Sequence, residues 1–289
     1  MRRPLCLRLV FMIRKLYPRG KAKAFNVSYD DGIGQDIRFV ELLNRYGLKG
    51  TFNLNSGLMK LGFAWTHENG QEIRRLPEQT AAGLYRGHEV ASHTMDHPYM
   101  DSLSEAEILR QMTMDKENLE KLFGCGIFGF AVPFTYYSEL IAKCAHQAGF
   151  EYARISEEGN TFAVPADFYY WRAGKFNWSE DLEEFVDSFL ATSRELAICQ
   201  IAGHSYDLDI DRSWDRMEAI LSRVSRAEDV LPMTHIELVR YLKAMSHAVI
   251  TETQIKNNSQ ASLWFDVNGQ VIRLYPGEKY ELTQGGTNP

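Results

Sequence analysis

The 289-residue chain is 45% hydrophobic and 24% charged, an average composition that can bury a full-sized core and excludes a collagen-like, disordered or disulfide-stapled miniature. Thirty-two Lys plus Arg against 38 Asp plus Glu leave a net charge of -6, which gives a phosphate backbone no electrostatic footprint, so no nucleic-acid partner is expected. Cys6, Cys125, Cys144 and Cys199 form no CxxC pair and read as reduced thiols.

At the start, Arg2 and Arg3 precede an apolar stretch that Arg8 interrupts, and the run from Leu9 to Ile13 falls short of the about 7–15 apolar residues of a secretory signal. No stretch approaches the about 20 apolar residues that span a bilayer. A cytoplasmic protein with no membrane partner is therefore expected, with residues 1–22 as an N-terminal extension. Apolar, β-branched segments then alternate with helical spacing, the pattern of βα units on a parallel sheet. The first strand is expected at Ala24–Ser28, followed by helical spacing at Ile37, Val40, Leu42 and Leu43 up to a stop at Gly47. Gly50–Leu54 is the second strand, and the stretch around Trp65 is irregular. Pro77 opens a short helix ending near Gly87, and Glu89–Ser92 is the third strand. Ser104 with Glu107 makes a capping box for a long helix ending at Gly124.

Further strands are expected at Ile127–Val132, Glu151–Arg154, Tyr169–Trp171 and Ala197–Ala202, with helices over Ser138–Ala148, from Ser179, around Trp214–Val224 and over Thr234–Ala244. Seven strands in βα order, with no Gly-rich dinucleotide turn, predict an α/β chain folded as a distorted parallel (β/α)7-type barrel over 23–245. From about Ser246 the pattern changes to Val249–Thr251, Ser262–Val267 and Val271–Leu274. Asn268-Gly269 between the last two is a strong hairpin signal, so residues 246–283 are expected to form a small C-terminal antiparallel β appendage, with a disordered tail at 284–289.

In a barrel of this kind, chemistry belongs just after each strand. Asp30-Asp31 follows the first strand, where two adjacent carboxylates can divide labour between holding a metal and moving protons, although Asp31-Gly32 also suits a plain turn. His93 and His97 follow the third strand. Two imidazoles four residues apart can converge on one ion, and Pro98 argues against a simple helix-surface pair. Asp31 added to them makes a two-His, one-carboxylate set with open positions for water and substrate. His204 follows the apolar strand Ala197–Ala202 and can either move a proton near neutrality or simply seal the barrel mouth.

Taken together these residues resemble the polysaccharide deacetylases, carbohydrate esterase family four, over roughly Lys23 to Ala244. Ser28-Tyr29-Asp30-Asp31-Gly32 is similar to the family's first motif and His93-Thr94-Met95-Asp96-His97 to its second. The resemblance implies Asp30 as general base, Asp31, His93 and His97 as metal ligands, and His204 as general acid. Ala131-Val132-Pro133-Phe134 falls where an Arg-Pro-Pro-Tyr-like motif belongs, so the Arg that orients the base in the family is missing. Arg154 is nominated to replace it, with Arg172 as second choice. The family's tryptophan motif is echoed only loosely, by Tyr170-Trp171-Arg172.

The function expected on these grounds is metal-dependent hydrolysis of an acetyl group on a saccharide, N-acetyl ahead of O-acetyl. One divalent ion is implied, zinc first, with cobalt, nickel or manganese as alternatives. Pro133, Phe134, Thr135, Tyr136, Trp171, Tyr206 and Asp207 are the candidate substrate-binding or supporting residues. Two rivals stand beside this reading: a hydrolase of a small amide such as a ureide or cyclic amide, and an inactive carbohydrate-binding barrel.

Overall fold

The computed structural model describes residues 11–282; the tail expected at 284–289, and Cys6, lie outside the described residues. Its centre is a parallel sheet whose strands run in the spatial order Lys175–Phe176, Ala197–Gly203, Lys23–Asp30, Gly50–Leu54, Glu89–Ser92, Gly129–Ala131, Tyr152–Glu158 and Trp171–Ala173. Val230–Pro232 adds in parallel beside the start of Lys23–Asp30. The sheet curls into a nearly closed barrel, as the βα alternation predicts.

Period-2 alternation sorts the side chains of these strands. In Lys23–Asp30, Phe25, Val27 and Tyr29 point outward into the helical layer, where Tyr29 stacks on Phe39 with ring centroids 4.0 Å apart. Asn26, Ser28 and Asp30 point inward. The barrel interior is consequently polar and hydrogen-bonded from strand to strand: Asn53 donates to Ser28 Oγ at 3.0 Å, and Thr51 donates to Glu89 at 2.9 Å. Burial raises the Glu89 carboxyl to about 7 against the hydrogen bonds that favour its charge. The N-terminus of the helix His235–Ser246 closes the lower end, with the Ile236 N–H donating to Glu89 at 2.9 Å and the His235 N–H to Thr51 Oγ1 at 3.0 Å.

The expected capping box forms, with Ser104 and Glu107 starting the helix Glu105–Phe123 and Gly124 ending it in the left-handed conformation. Elsewhere, boundaries shift. Asp167 accepts the Tyr169 N–H at 2.8 Å and turns Phe168–Tyr170 into a 3-10 helix, which delays the strand expected at Tyr169–Trp171 to Trp171–Ala173. The helix expected from Ser179 begins at Leu182. The irregular stretch around Trp65 contains a hairpin, Ala64–Thr66 against Glu72–Arg74.

The β appendage is present as two three-stranded antiparallel sheets. Leu263–Val267 and Gln270–Leu274 form the expected hairpin, and Asn268 and Gly269 both take positive φ, 54° and 87°, as a tight two-residue turn requires. The third strand of that sheet is Ile13–Leu16, drawn from the N-terminal extension. Ala248–Ile250, Gln254–Asn257 and Lys279–Glu281 make the other sheet. Leu263, Phe265 and Val267 pack with Leu238, Tyr241, Leu242 and Met245 of the last helix, so the appendage clamps the element that plugs the barrel. Among the described residues no helix is long and apolar enough to cross a membrane.

Barrel closure depends on Gly174, because a Cβ there would lie 2.3 Å from the Gln200 backbone oxygen. Gly174→Ala is expected to force Trp171–Ala173 and Lys175–Phe176 away from Ala197–Gly203, and to cost about 1–3 kcal/mol in urea unfolding, as overpacking does.

Candidate active site

Six barrel strands contribute to one cavity of about 340 Å³, lined by Asp30, Asp31, His93, His97, Phe134, Thr135, Ser156, Phe176, Trp178, Gly203, His204 and Tyr206. Its floor is the inward end of Lys23–Asp30. Asp30 is 6% exposed and accepts from Asn53 Nδ2 at 2.7 Å and from the Arg154 guanidinium, both on Oδ1. Arg154 itself is fully buried. Burial alone would raise the Asp30 carboxyl, but the Arg154 charge, with His93 and His204 further off, holds it below the usual carboxylate value.

Asp31 follows with φ of 85°, a conformation that swings its carboxylate beside the second motif. One ligand atom from each of Asp31, His93 and His97 lies within 4.8 Å of the other two. Asp31 Oδ1 is 3.9 Å from His93 Nε2 and 3.7 Å from His97 Nε2. His93 Nδ1 lies 2.9 Å from the Ala131 carbonyl oxygen, which fixes the proton on Nδ1 and turns the Nε2 lone pair toward Asp31. Burial, opposed by Asp30, pushes the His93 imidazole down to about 4, and burial also lowers His97, so both are neutral at pH 7 as ligands must be. Two lone pairs and a carboxylate oxygen with inward orientation fit a divalent ion. Asn55 holds the loop that carries them, donating to the His93 and Thr94 carbonyls, and Thr94 and His97 sit at φ of 66° and 53°.

His204 faces the same group, with Nε2 4.0 Å from Asp31 Oδ2 and Nδ1 3.2 Å from Asp207 Oδ2. Burial would lower this imidazole. The Asp207 hydrogen bond and charge, with Asp31 and Asp30 behind them, overrule it and raise it to about 9. The His204 ring stacks on Tyr206 with centroids 4.8 Å apart.

Several expected supporting residues lie elsewhere. Trp171 is buried against His235, with ring centroids 4.5 Å apart, and does not line the cavity. Its period-2 position in Trp171–Ala173 directs it below the mouth. Arg172, one residue on, faces outward to Glu157 at 3.3 Å. Tyr136 is exposed beyond the cavity and Pro133 is buried beneath it, whereas Phe134, Thr135 and Tyr206 line it.

Phe176, Trp178, Ser156 and Arg75 escaped the sequence reading. Trp178 stacks on Phe176 at 4.5 Å and forms the aromatic wall that was sought at Trp171; an exposed Trp just after an inward strand was the available signal. Ser156 accepts from Arg154 Nη1 at 3.2 Å. Arg75, with Nη1 2.7 Å from Asp31 Oδ1, arrives from the hairpin that the sequence pattern concealed.

The polysaccharide deacetylase family model matches residues 18–153, the segment that carries both Asp residues and both ligand-type histidines. Over that segment, slightly under half of its length, the chain is similar to the polysaccharide deacetylase family. A peptidoglycan-N-acetylglucosamine deacetylase of Bacillus cereus is 25% identical to this chain over 131 residues, 45% of this chain and 54% of the relative. The chain thus spans about half the length of the curated relative it matches. Two solved structures share the fold. A Mycobacterium smegmatis protein described as a candidate polysaccharide deacetylase gives a TM-score of 0.58 at 14% identity, over 81% of this chain and 94% of that one. The Xyl-CE4 domain of a multidomain xylanase from the hindgut metagenome of Trinervitermes trinervoides gives 0.51 at 18% identity, over 77% and 92%.

The buried pair Asp30–Arg154 is testable apart from catalysis. Arg154→Met strands a buried carboxylate and is expected to cost about 3–5 kcal/mol in urea unfolding at pH 7; Asp30→Asn added to it should restore most of the loss. Because the folded Asp30 carboxyl lies below its unfolded value, its contribution is present above the unfolded value and is lost as pH falls through the folded one. In Arg154→Met burial is left to raise the folded Asp30 carboxyl, so protonation then favours the fold, and the stability gap between the variant and wild type should narrow as pH falls.

Proposed function

We propose that this chain is a metal-dependent hydrolase that removes acetyl groups from a saccharide, N-acetyl in preference to O-acetyl. The observation that carries the reading is one cavity holding a neutral two-histidine, one-carboxylate set, a second carboxylate kept ionised by a guanidinium, and an imidazole kept protonated by its own carboxylate. Asp31, His93 and His97 would hold the ion, zinc first on donor type, with cobalt, nickel and manganese as alternatives. Bound there, a divalent ion supplies Lewis-acid polarisation of a carbonyl and acidifies water.

Asp30 is the base. Asn53 and Arg154 both donate to Oδ1, and among the described residues no protein donor reaches Oδ2, which leaves that oxygen to take the proton of the attacking water. Arg154 keeps the carboxyl charged at neutral pH and fixes its plane, the role that Ala131 in the third motif cannot play. His204 is the acid: its Nδ1 faces Asp207, so Nε2 delivers the proton to the departing nitrogen or oxygen. Thr135 and Phe134 border the place where the acetyl group lies, and Trp178 and Tyr206 present rings to a sugar face.

Elemental analysis and acetate release from N-acetylglucosamine oligomers separate the roles. Asp30→Asn should lower turnover about 10²–10⁴-fold with metal content unchanged, and His204→Ala should do the same. Asp31→Asn or His97→Ala should lose metal and turnover together. Equal metal loss in all four variants would overturn the assignment. Since His204 is raised to about 9 chiefly by Asp207 working against burial, Asp207→Asn should move the alkaline limb of the pH–rate profile to lower pH.

A further inference from the structure

The metal-ligand carboxylate is already occupied by a cation belonging to the protein. Arg75 is 4% exposed, and its Nη1 sits 2.7 Å from Asp31 Oδ1, the same oxygen that faces His93 Nε2 and His97 Nε2. The contact is a charge pair without a hydrogen bond to Oδ1; the same nitrogen donates to the Asp31 backbone oxygen and, at 2.8 Å, to Asn55 Oδ1. The arrangement is held from several sides. The Arg75 N–H donates to the Phe63 carbonyl at 2.9 Å, Leu76 N–H to Gly32 at 2.8 Å and Gly34 N–H to Arg74 at 3.0 Å, which stitches the hairpin's exit across the loop following Asp31. The Trp65 ring lies 5.4 Å from the guanidinium carbon.

We infer that Arg75 is a resident counter-cation for Asp31, which keeps the ligand set assembled without an ion and makes the divalent ion bind weakly and exchangeably. The inference rests on the reading of Asp31, His93 and His97 as the metal ligands. The argument is one of charge. Asp30 is matched by Arg154 and Asp31 by Arg75, so with neutral imidazoles the site presents no net negative charge to an arriving ion. Arg75 stabilises the ion-free state, in which an unpaired buried carboxylate would be costly, and repels the ion in the bound state. Both effects lower affinity. Its bond to the Asp31 carbonyl also holds the positive-φ turn that aims the carboxylate at the histidines.

The full chain, stripped of metal, decides the matter by zinc titration against a chromophoric chelator, with melting temperatures taken with and without zinc. Arg75→Met should bind zinc at least tenfold more tightly than wild type. Its ion-free form should melt lower and gain more on zinc addition. Arg75→Lys, which keeps the charge, should stay near wild type. A natively folded Arg75→Met that binds zinc no more tightly than wild type overturns the inference. If Arg75→Met does not fold without metal, refolding with zinc decides: recovery supports the inference, and failure to recover overturns it. His97→Ala tests the ligand set independently, since it should abolish the one-per-chain zinc whatever Arg75 does. Zinc bound by wild type and retained in His97→Ala refutes the ligand reading, and the inference about Arg75 falls with it.

Discussion

A carboxylate that is 6% exposed at the end of a barrel strand stays charged only if the protein brings a cation to it, and Asp30 with Arg154 meets that requirement. The two residues are 124 positions apart, on strands that are not neighbours in the sheet. Their contact is therefore possible only because the sheet curls until both inward faces meet. Part of the barrel interior follows the same logic: Asn26, Thr51, Glu89 and Tyr152 are linked by hydrogen bonds and Asn53 bonds to Ser28 and Asp30, while Ala24, Trp171 and Ile198 join the apolar cluster that packs on the last helix. The apolar core that drives folding lies instead between the strands' outward faces and the helices.

Around that pair, the loops at the barrel mouth store and restrain strain. Asp31, Thr94, His97 and Phe134 all have positive φ, uncommon for residues with side chains, and all four line or support the cavity. The helix Glu105–Phe123 contributes Asp115, which accepts the Ser56 N–H at 2.7 Å and the Ser92 hydroxyl at 2.6 Å, tying two strand ends to one rigid element. Gly203 serves the third strand end: its φ is 148°, and a Cβ would lie 2.2 Å from Asn177 Oδ1. Asn177 Nδ2 in turn donates to the His204 carbonyl at 2.9 Å, which sets where the imidazole leaves the sheet.

The residues behind Asp30 and His93 divide their support between backbone and side chain. Ala131 cannot hold Asp30 with its side chain, yet its carbonyl still orients His93. The guanidinium that holds Asp30 comes from the adjoining strand, where Arg154 is in register with Ala131. A backbone group serves any side chain at a position, whereas a charge can be relocated to any neighbour whose pleat points the same way.

Local sequence determined a good deal of this protein. Alternation of strand and helix periods fixed the barrel class, the Ser104 and Gly124 caps fixed the longest helix, and Asn268-Gly269 fixed the hairpin, because each depends on neighbours in the chain. The Asp30-Asp31 and His93–His97 pairs were legible for the same reason: their members are close in sequence and follow recognisable strands. Only the tertiary structure decided that Arg75 lies on Asp31, that Trp178 and not Trp171 walls the cavity, and that Ile13–Leu16 completes the appendage sheet. Arg75 arrives from a short hairpin whose pattern is weak, and Trp171 is the first residue of its strand, after the 3-10 turn Phe168–Tyr170, where it pairs with Arg154 and packs on His235 instead of reaching the mouth. Contacts between residues distant along the chain depend on closure and register, and no local pattern carries either.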